Sequence, residues 1–120
     1  MDKIEAYVEF AEKVLDDRHA QEIVRIPISQ KSSLADYFLL CHGGSAVQVK
    51  AIADELVSRL EEEFDLSPMA VEGMDNRQWI LLDYGDFIVH IFNKQAREYY
   101  ALEKLWQSRD DVESGPKSEF

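Results

Sequence analysis

Two apolar ribbons separated by a two-residue loop constrain this chain more than any other feature. Trp79-Ile80-Leu81-Leu82-Asp83-Tyr84 runs into Gly85-Asp86 and continues as Phe87-Ile88-Val89-His90-Ile91-Phe92. β-Branched and aromatic side chains favour extended backbone. Glycine at the first loop position supplies the positive φ of a type II′ turn, so the spacing predicts a hairpin. With Tyr84 opposite Phe87, alternation puts Ile80, Leu82, Tyr84, Phe87, Val89 and Ile91 on one wholly apolar face. Trp79, Leu81, Asp83, Ile88, His90 and Phe92 fall on the other, where Asp83 and His90 are diagonal neighbours at roughly 7 Å, within side-chain reach. An apolar face that also carries a carboxylate and an imidazole predicts a surface that meets a partner.

The remainder of the chain supplies a sheet for this hairpin. Ile4, Tyr7, Val8, Ala11, Val14 and Leu15 recur at helical spacing. Residues 23–28 read as a strand that Pro27 confines to an edge, since proline donates no ladder hydrogen bond. After a loop from Ser29 to Asp36, the unbroken apolar run Tyr37 to Cys41 suits a central strand covered on both faces. Ser45 with Gln48 predicts a capping box opening a helix whose stripe is Val49, Ile52, Ala53, Leu56, Val57 and Leu60. Met69 to Glu72 resumes a strand, so strand, helix and strand predict a right-handed crossover between parallel strands. Tyr99, Tyr100, Leu102, Leu105 and Trp106 predict a last helix that packs on the sheet. The fold class is α/β, in the order α-β-β-α-β-β-β-α around a mixed five-stranded sheet.

A chain of 120 residues fits one domain, assigned to residues 1–108, with an aperiodic acidic tail at 109–120 read as disordered. No apolar run approaches a membrane span, and the start Met1-Asp2-Lys3-Ile4-Glu5 has neither the basic region nor the apolar core of a secretory signal, so a cytoplasmic protein is expected. The lone Cys41 permits no internal disulfide and reads as a small core residue. A net charge of −11 disfavours direct binding to free nucleic acid, where Lys and Arg must neutralise phosphate. A basic protein partner fits better.

Catalytic constellations are weak. His42-Gly43-Gly44-Ser45 could cradle a phosphate at a helix start, yet it lacks the dinucleotide and P-loop patterns and reads as a simple helix-capping turn. Asp54 and Glu55 are adjacent on a helix and do not alternate along a strand as a nucleotidyltransferase's metal-binding pair would. Asp83 could orient His90 as a base, but no nucleophile completes the set. With three histidines and one cysteine, no zinc spacing emerges. The expectation is a protein with no catalytic residues, metal or cofactor. The alternative is a nucleotide-binding relative of nucleotidyltransferases using Gly43, Gly44 and Ser45 with Asp83 and Asp86.

The order of motifs is more specific than any one of them. Lys31-Ser32-Ser33-Leu34-Ala35-Asp36-Tyr37, Gly43-x-Ser45, Gln48-Val49, Ala53-Asp54, Val71-Glu72-Gly73, Trp79 with Asp83-x-Gly85-Asp86, Val89-His90-x-Phe92 and Arg97-x-x-Tyr100-x-Leu102-Glu103-x-Leu105-Trp106 succeed one another collinearly. This succession resembles the ribosomal silencing factor (Iojap) family over residues 5 to 107, with Gly44 where that family usually has Thr. The resemblance implies a nucleotidyltransferase-like fold without its catalytic carboxylates. It also implies a translational repressor that binds the large ribosomal subunit through universal ribosomal protein L-fourteen and blocks joining of the small subunit when nutrients are scarce. Assembly of the large subunit is the alternative role.

Between Glu72 and Asp86 four acids, Glu72, Asp75, Asp83 and Asp86, stand against Arg77 alone. The partner-binding residues expected from this are Trp79 as anchor, Leu81 beside it, Glu72 and Asp83 as acceptors for Lys or Arg, and Tyr84 and His90 in support. Without the resemblance, Trp79 would read as a strand aromatic under a helix. A sheet edge that recruits a second copy, giving a homodimer, is a further expectation.

Overall fold

The computed structural model describes residues 3–28 and 35–100. The elements are α1 (Lys3–Asp17), β1 (Gln21–Pro27), β2 (Tyr37–Gly43), α2 (Ala46–Phe64), β3 (Ala70–Glu72), β4 (Trp79–Asp83), β5 (Phe87–Asn93) and α3 (Lys94–Tyr100). This is the expected order. The strands form one mixed sheet, β1-β2-β5-β4-β3, antiparallel throughout except for the parallel pair β2 and β5.

The hairpin register is the one its loop dictates. Asp83 pairs with Ile88 and Leu82 with Val89, while the Tyr84 amide donates to the Phe87 carbonyl at 3.0 Å. Gly85 has φ +86°, which lets the Asp86 amide fold back onto the Tyr84 carbonyl at 3.0 Å. Pro27 does end an edge strand, and β2 is interior with all but its first residue buried.

The crossover needs correcting. β3 runs parallel to β2 but is not its neighbour, because β5 and β4 lie between them. Burial explains the placement. β3 has three residues, all exposed, whereas six of the seven residues of β5 are buried. The longer apolar strand takes the centre, where both of its faces leave water, and the short one is left at the rim.

Helices α1 and α2 cover one face. Val8, Ala11, Val14 and Leu15 of α1 and Val49, Ile52, Ala53, Leu56 and Leu60 of α2 pack with Leu39, Cys41, Ile80, Leu82, Tyr84, Phe87, Val89 and Ile91. Burial pushes the Cys41 thiol up to about 12, so it stays protonated and apolar. Both helices end on a left-handed non-glycine residue, His19 at φ 63° and Asp65 at φ 56°. In each, the following amide reaches back a full turn, Ala20 to the Leu15 carbonyl and Leu66 to the Leu60 carbonyl, satisfying groups the helix leaves open.

The opposite face holds a smaller apolar cluster of Ile26, Ile28, Ala35, Phe38, Leu40, Ile88, Phe92 and Ala96, with Val24, Trp79 and Leu81 half-buried against it. Ala96 brings α3 to this side. The side-chain contacts expected of Tyr99 and Tyr100, the packing of Leu102, Leu105 and Trp106, and the tail at 109–120 lie outside the described residues.

Candidate docking face

Pairing across three strands brings five of the six expected partner-binding residues, Glu72, Trp79, Leu81, Asp83 and His90, onto one face. Glu72 on β3 is opposite Leu81 on β4, and Leu81 is opposite His90 on β5. Asp83 sits one pleat along, between Ala70 and Ile88, and Trp79 one pleat the other way, opposite Phe92. Directly paired residues share a face, so Glu72, Trp79, Leu81 and Asp83 form a patch over the β3–β4 end of the sheet. Exposure falls toward the centre: Glu72 is exposed, Trp79, Leu81 and Asp83 are intermediate, and His90 is buried.

Tyr84 does not join them. It lies on the helix-covered face, 5% exposed, stacked on Phe87 at 5.0 Å between ring centroids. The same alternation that puts Asp83 on one side puts Tyr84 on the other.

The Asp83–His90 pair also fails to form. Asp83 turns its Oδ1 to the Gly85 amide at 2.8 Å, bracing the hairpin loop. His90 instead accepts from Trp79, whose indole Nε1–H reaches its Nδ1 at 3.0 Å. An acceptor at Nδ1 fixes the neutral tautomer protonated on Nε2. Burial pushes the imidazole down to about 4, so it is uncharged at neutral pH. Phe38 meets the ring edge-on at 4.7 Å, and Phe92 lies parallel to it at 6.2 Å. His90 is therefore a support beneath the patch.

Backbone geometry holds Trp79 from the other side. Gly73 closes β3 at φ +87°, and a Cβ there would overlap the Trp79 carbonyl oxygen. Only glycine passes so close. Asn76 then caps the Gln78 amide at 2.9 Å, and the Gln78 carbonyl accepts from Asn93 at 3.0 Å, leading the chain into β4.

Residues 1–119 match the family model described as Ribosomal silencing factor during starvation. The chain belongs to the ribosomal silencing factor family. A ribosomal silencing factor of Halalkalibacterium halodurans is 41% identical over 106 residues, covering 88% of this chain and 90% of its own. A crystal structure of a Chromobacterium violaceum protein superposes with a TM-score of 0.83 at 29% identity, covering 99% of this chain and 92% of that one. More distantly, the mouse protein named Mitochondrial assembly of ribosomal large subunit protein 1 is 30% identical over 98 residues, which is 80% of this chain and 43% of the mouse protein.

In this ribosomal silencing factor relative, the glycine turn before α2 works as a cap. Ser45 Oγ accepts from the Gln48 amide at 3.1 Å, and Gln48 Oε1 accepts from the Gly44 amide at 2.7 Å. The return bond goes one residue before the cap, a variant of the expected box. Gly43 packs against the Gln48 and Val49 side chains, where an added Cβ would come within 3.3 Å. The Gly44 and Gln48 amides, which a phosphate in this turn would need, thus already have partners. Among the described residues no cluster of three or more His, Cys, Asp or Glu is placed to hold a metal ion.

A second buried polar group escaped sequence reasoning. Arg97 on α3 is 7% exposed and donates through Nη1 to the Glu22 carbonyl at 2.8 Å and to His42 Nδ1 at 2.9 Å. His42 in turn contacts Gln21 Oε1 through Nε2 at 3.2 Å. Glu22 stands at φ 50° where the β1–β2 register shifts, so Arg97 secures a bulged, left-handed residue. An arginine at the start of a helix reads as solvated. Its place in the collinear motif succession was the available signal.

Proposed function

We propose that this chain is a non-enzymatic translational repressor that docks on the large ribosomal subunit through the Glu72, Trp79, Leu81 and Asp83 patch. The observation that carries this is the convergence of an aromatic anchor, an aliphatic neighbour and two carboxylates on one face of the sheet. Membership of the family supports the ribosome as target, and the mouse relative's name supports the large subunit. A charge of −11 faces repulsion from ribosomal RNA, screened only beyond a Debye length of about 8 Å at physiological salt. The landing site is therefore a basic protein surface, and the family resemblance supports universal ribosomal protein L-fourteen as that surface. Occupying it blocks joining of the small subunit during nutrient limitation, in the cytoplasm.

Trp79 and Leu81 supply the apolar contact, and Glu72 and Asp83 steer Lys or Arg onto it. His90 acts from beneath, and Tyr84 acts only by packing the opposite face. Trp79→Ala combined with Glu72→Lys should abolish co-sedimentation with purified large subunits while circular dichroism remains that of the folded chain. Glu72 is the charge to invert, because Asp83 also braces the hairpin turn. Unchanged co-sedimentation overturns the proposed face. The mouse relative's name favours a second reading, assembly of the large subunit. Cells lacking the protein would then accumulate immature large subunits, whereas repression predicts mature subunits that join too readily during starvation.

A further inference from the structure

The two buried histidines of the second face are satisfied unequally. His42 has partners at both ring nitrogens, Arg97 at Nδ1 and Gln21 at Nε2. His90, 4% exposed, has Trp79 at Nδ1, but its Nε2 is buried with no hydrogen-bond partner. Because the Trp79 N–H requires an acceptor at Nδ1, the ring proton must sit on that unpartnered Nε2. A buried donor left unmade costs about 1–3 kcal/mol, and an apolar side chain among Phe38, Leu40, Leu81 and Phe92 would avoid that cost. Packing alone does not explain a histidine at this position.

What histidine provides is a fixed direction for the indole. Trp79 is half-buried and its side chain has a single polar atom, Nε1, which could otherwise turn toward solvent. Hydrogen-bonded to His90, that atom points into the sheet, and every atom the ring can still present is carbon. Stacking on Phe92, at 5.2 Å between centroids, holds the same orientation.

We infer that His90 is the positioning residue of the docking face, turning the only polar atom of Trp79 inward so that the partner meets it as hydrocarbon alone. The inference rests on the docking face proposed above. It specifies the partner chemistry: an apolar pocket for the indole that offers no hydrogen-bond acceptor, flanked by basic groups for Glu72 and Asp83. The neutral acceptor state persists across the physiological range, since burial holds the imidazole near 4.

Three substitutions at His90 in the full chain separate positioning from packing. His90→Asn places a carbonyl near the Nδ1 position, His90→Gln places it near Nε2, and His90→Phe removes the acceptor while keeping a ring. The indole 15N–1H resonance of Trp79, assigned by its loss in Trp79→Ala, reports the hydrogen bond without any ribosome. Its proton should exchange slowly in the native chain and in His90→Asn, and about tenfold faster in His90→Gln and His90→Phe, as expected when one hydrogen bond is lost. Affinity for purified large subunits should fall by about tenfold in His90→Gln and His90→Phe and stay within about threefold in His90→Asn. If His90→Phe does not fold, the Asn and Gln pair decides alone. Weakened binding in Trp79→Ala with native-like binding in His90→Gln overturns the positioning role and leaves the docking face standing. Native-like binding in Trp79→Ala itself overturns the docking face and this inference with it.

Discussion

The two faces of the sheet are made by the same strands and built to opposite rules. On the helix side, the buried residues of β2, β4 and β5 are all apolar or aromatic, sealed under α1 and α2. On the other side the same strands contribute His42, His90, Asp83 and Trp79 among the aliphatic residues. The first face stabilises by area removed from water and by close packing. The second gives up some of that, carrying an unpartnered histidine nitrogen and a half-exposed indole. A residue-by-residue alternation of period two is enough to give one strand both a sealed face and the face proposed for recognition.

Breaking the sealed face should have the largest effect. Phe87→Ala empties a fully buried ring position and should lower unfolding free energy by about 3–5 kcal/mol, measured by urea denaturation. A loss under 1 kcal/mol would mean that this face is not the principal core.

Acid should then expose the weakness of the second face. His90 drops from an ordinary 6.5 to about 4 on folding, because burial disfavours its charge. The unfolded chain therefore takes up a proton that the folded chain refuses. Stability should fall as pH is lowered from 6.5 toward 4, by about 3 kcal/mol from this residue, with no further loss from it below that range. Comparing native and His90→Phe denaturation across that interval isolates the contribution. Parallel curves for the two would place the acid sensitivity elsewhere.

Trp79→Ala should sharpen the contrast by separating binding from stability. Affinity for large subunits is expected to drop by about 30-fold, the equivalent of about 2 kcal/mol for an anchoring aromatic. Its melting temperature should fall far less than that of Phe87→Ala. The smallest effect belongs to the rim. Glu72→Lys should slow association a few-fold at low salt, by roughly 1 kcal/mol or less, and the difference should shrink as salt is raised.

Much of this was legible because the hairpin is local. Gly85 set the loop, the loop set the register, and the register assigned every residue from Trp79 to Phe92 to its face. Pro27 and the run Tyr37 to Cys41 similarly declared an edge and a centre. What was not legible depends on contacts distant in sequence. The parallel pairing of β2 with β5 is such a contact, and no local pattern shows that β3 is displaced to the rim. Asp83 and His90 were correctly placed as diagonal neighbours, but each found a better partner, the Gly85 amide and the Trp79 indole. The Arg97–His42–Gln21 group joins three segments and has no period to betray it. Tyr84 was put on the correct face by alternation, and that placement separates it from the docking residues it had been grouped with.

Site-specific photocrosslinking tests the functional difference between the faces most directly. A photoreactive side chain at exposed Glu72, beside Trp79 and Leu81, is compared with one at Val47, 73% exposed on α2 behind the other face. With purified large subunits, position 72 should yield a crosslink to a basic ribosomal protein and position 47 none. Crosslinks from position 47 alone, or from position 72 only to ribosomal RNA, would contradict the account.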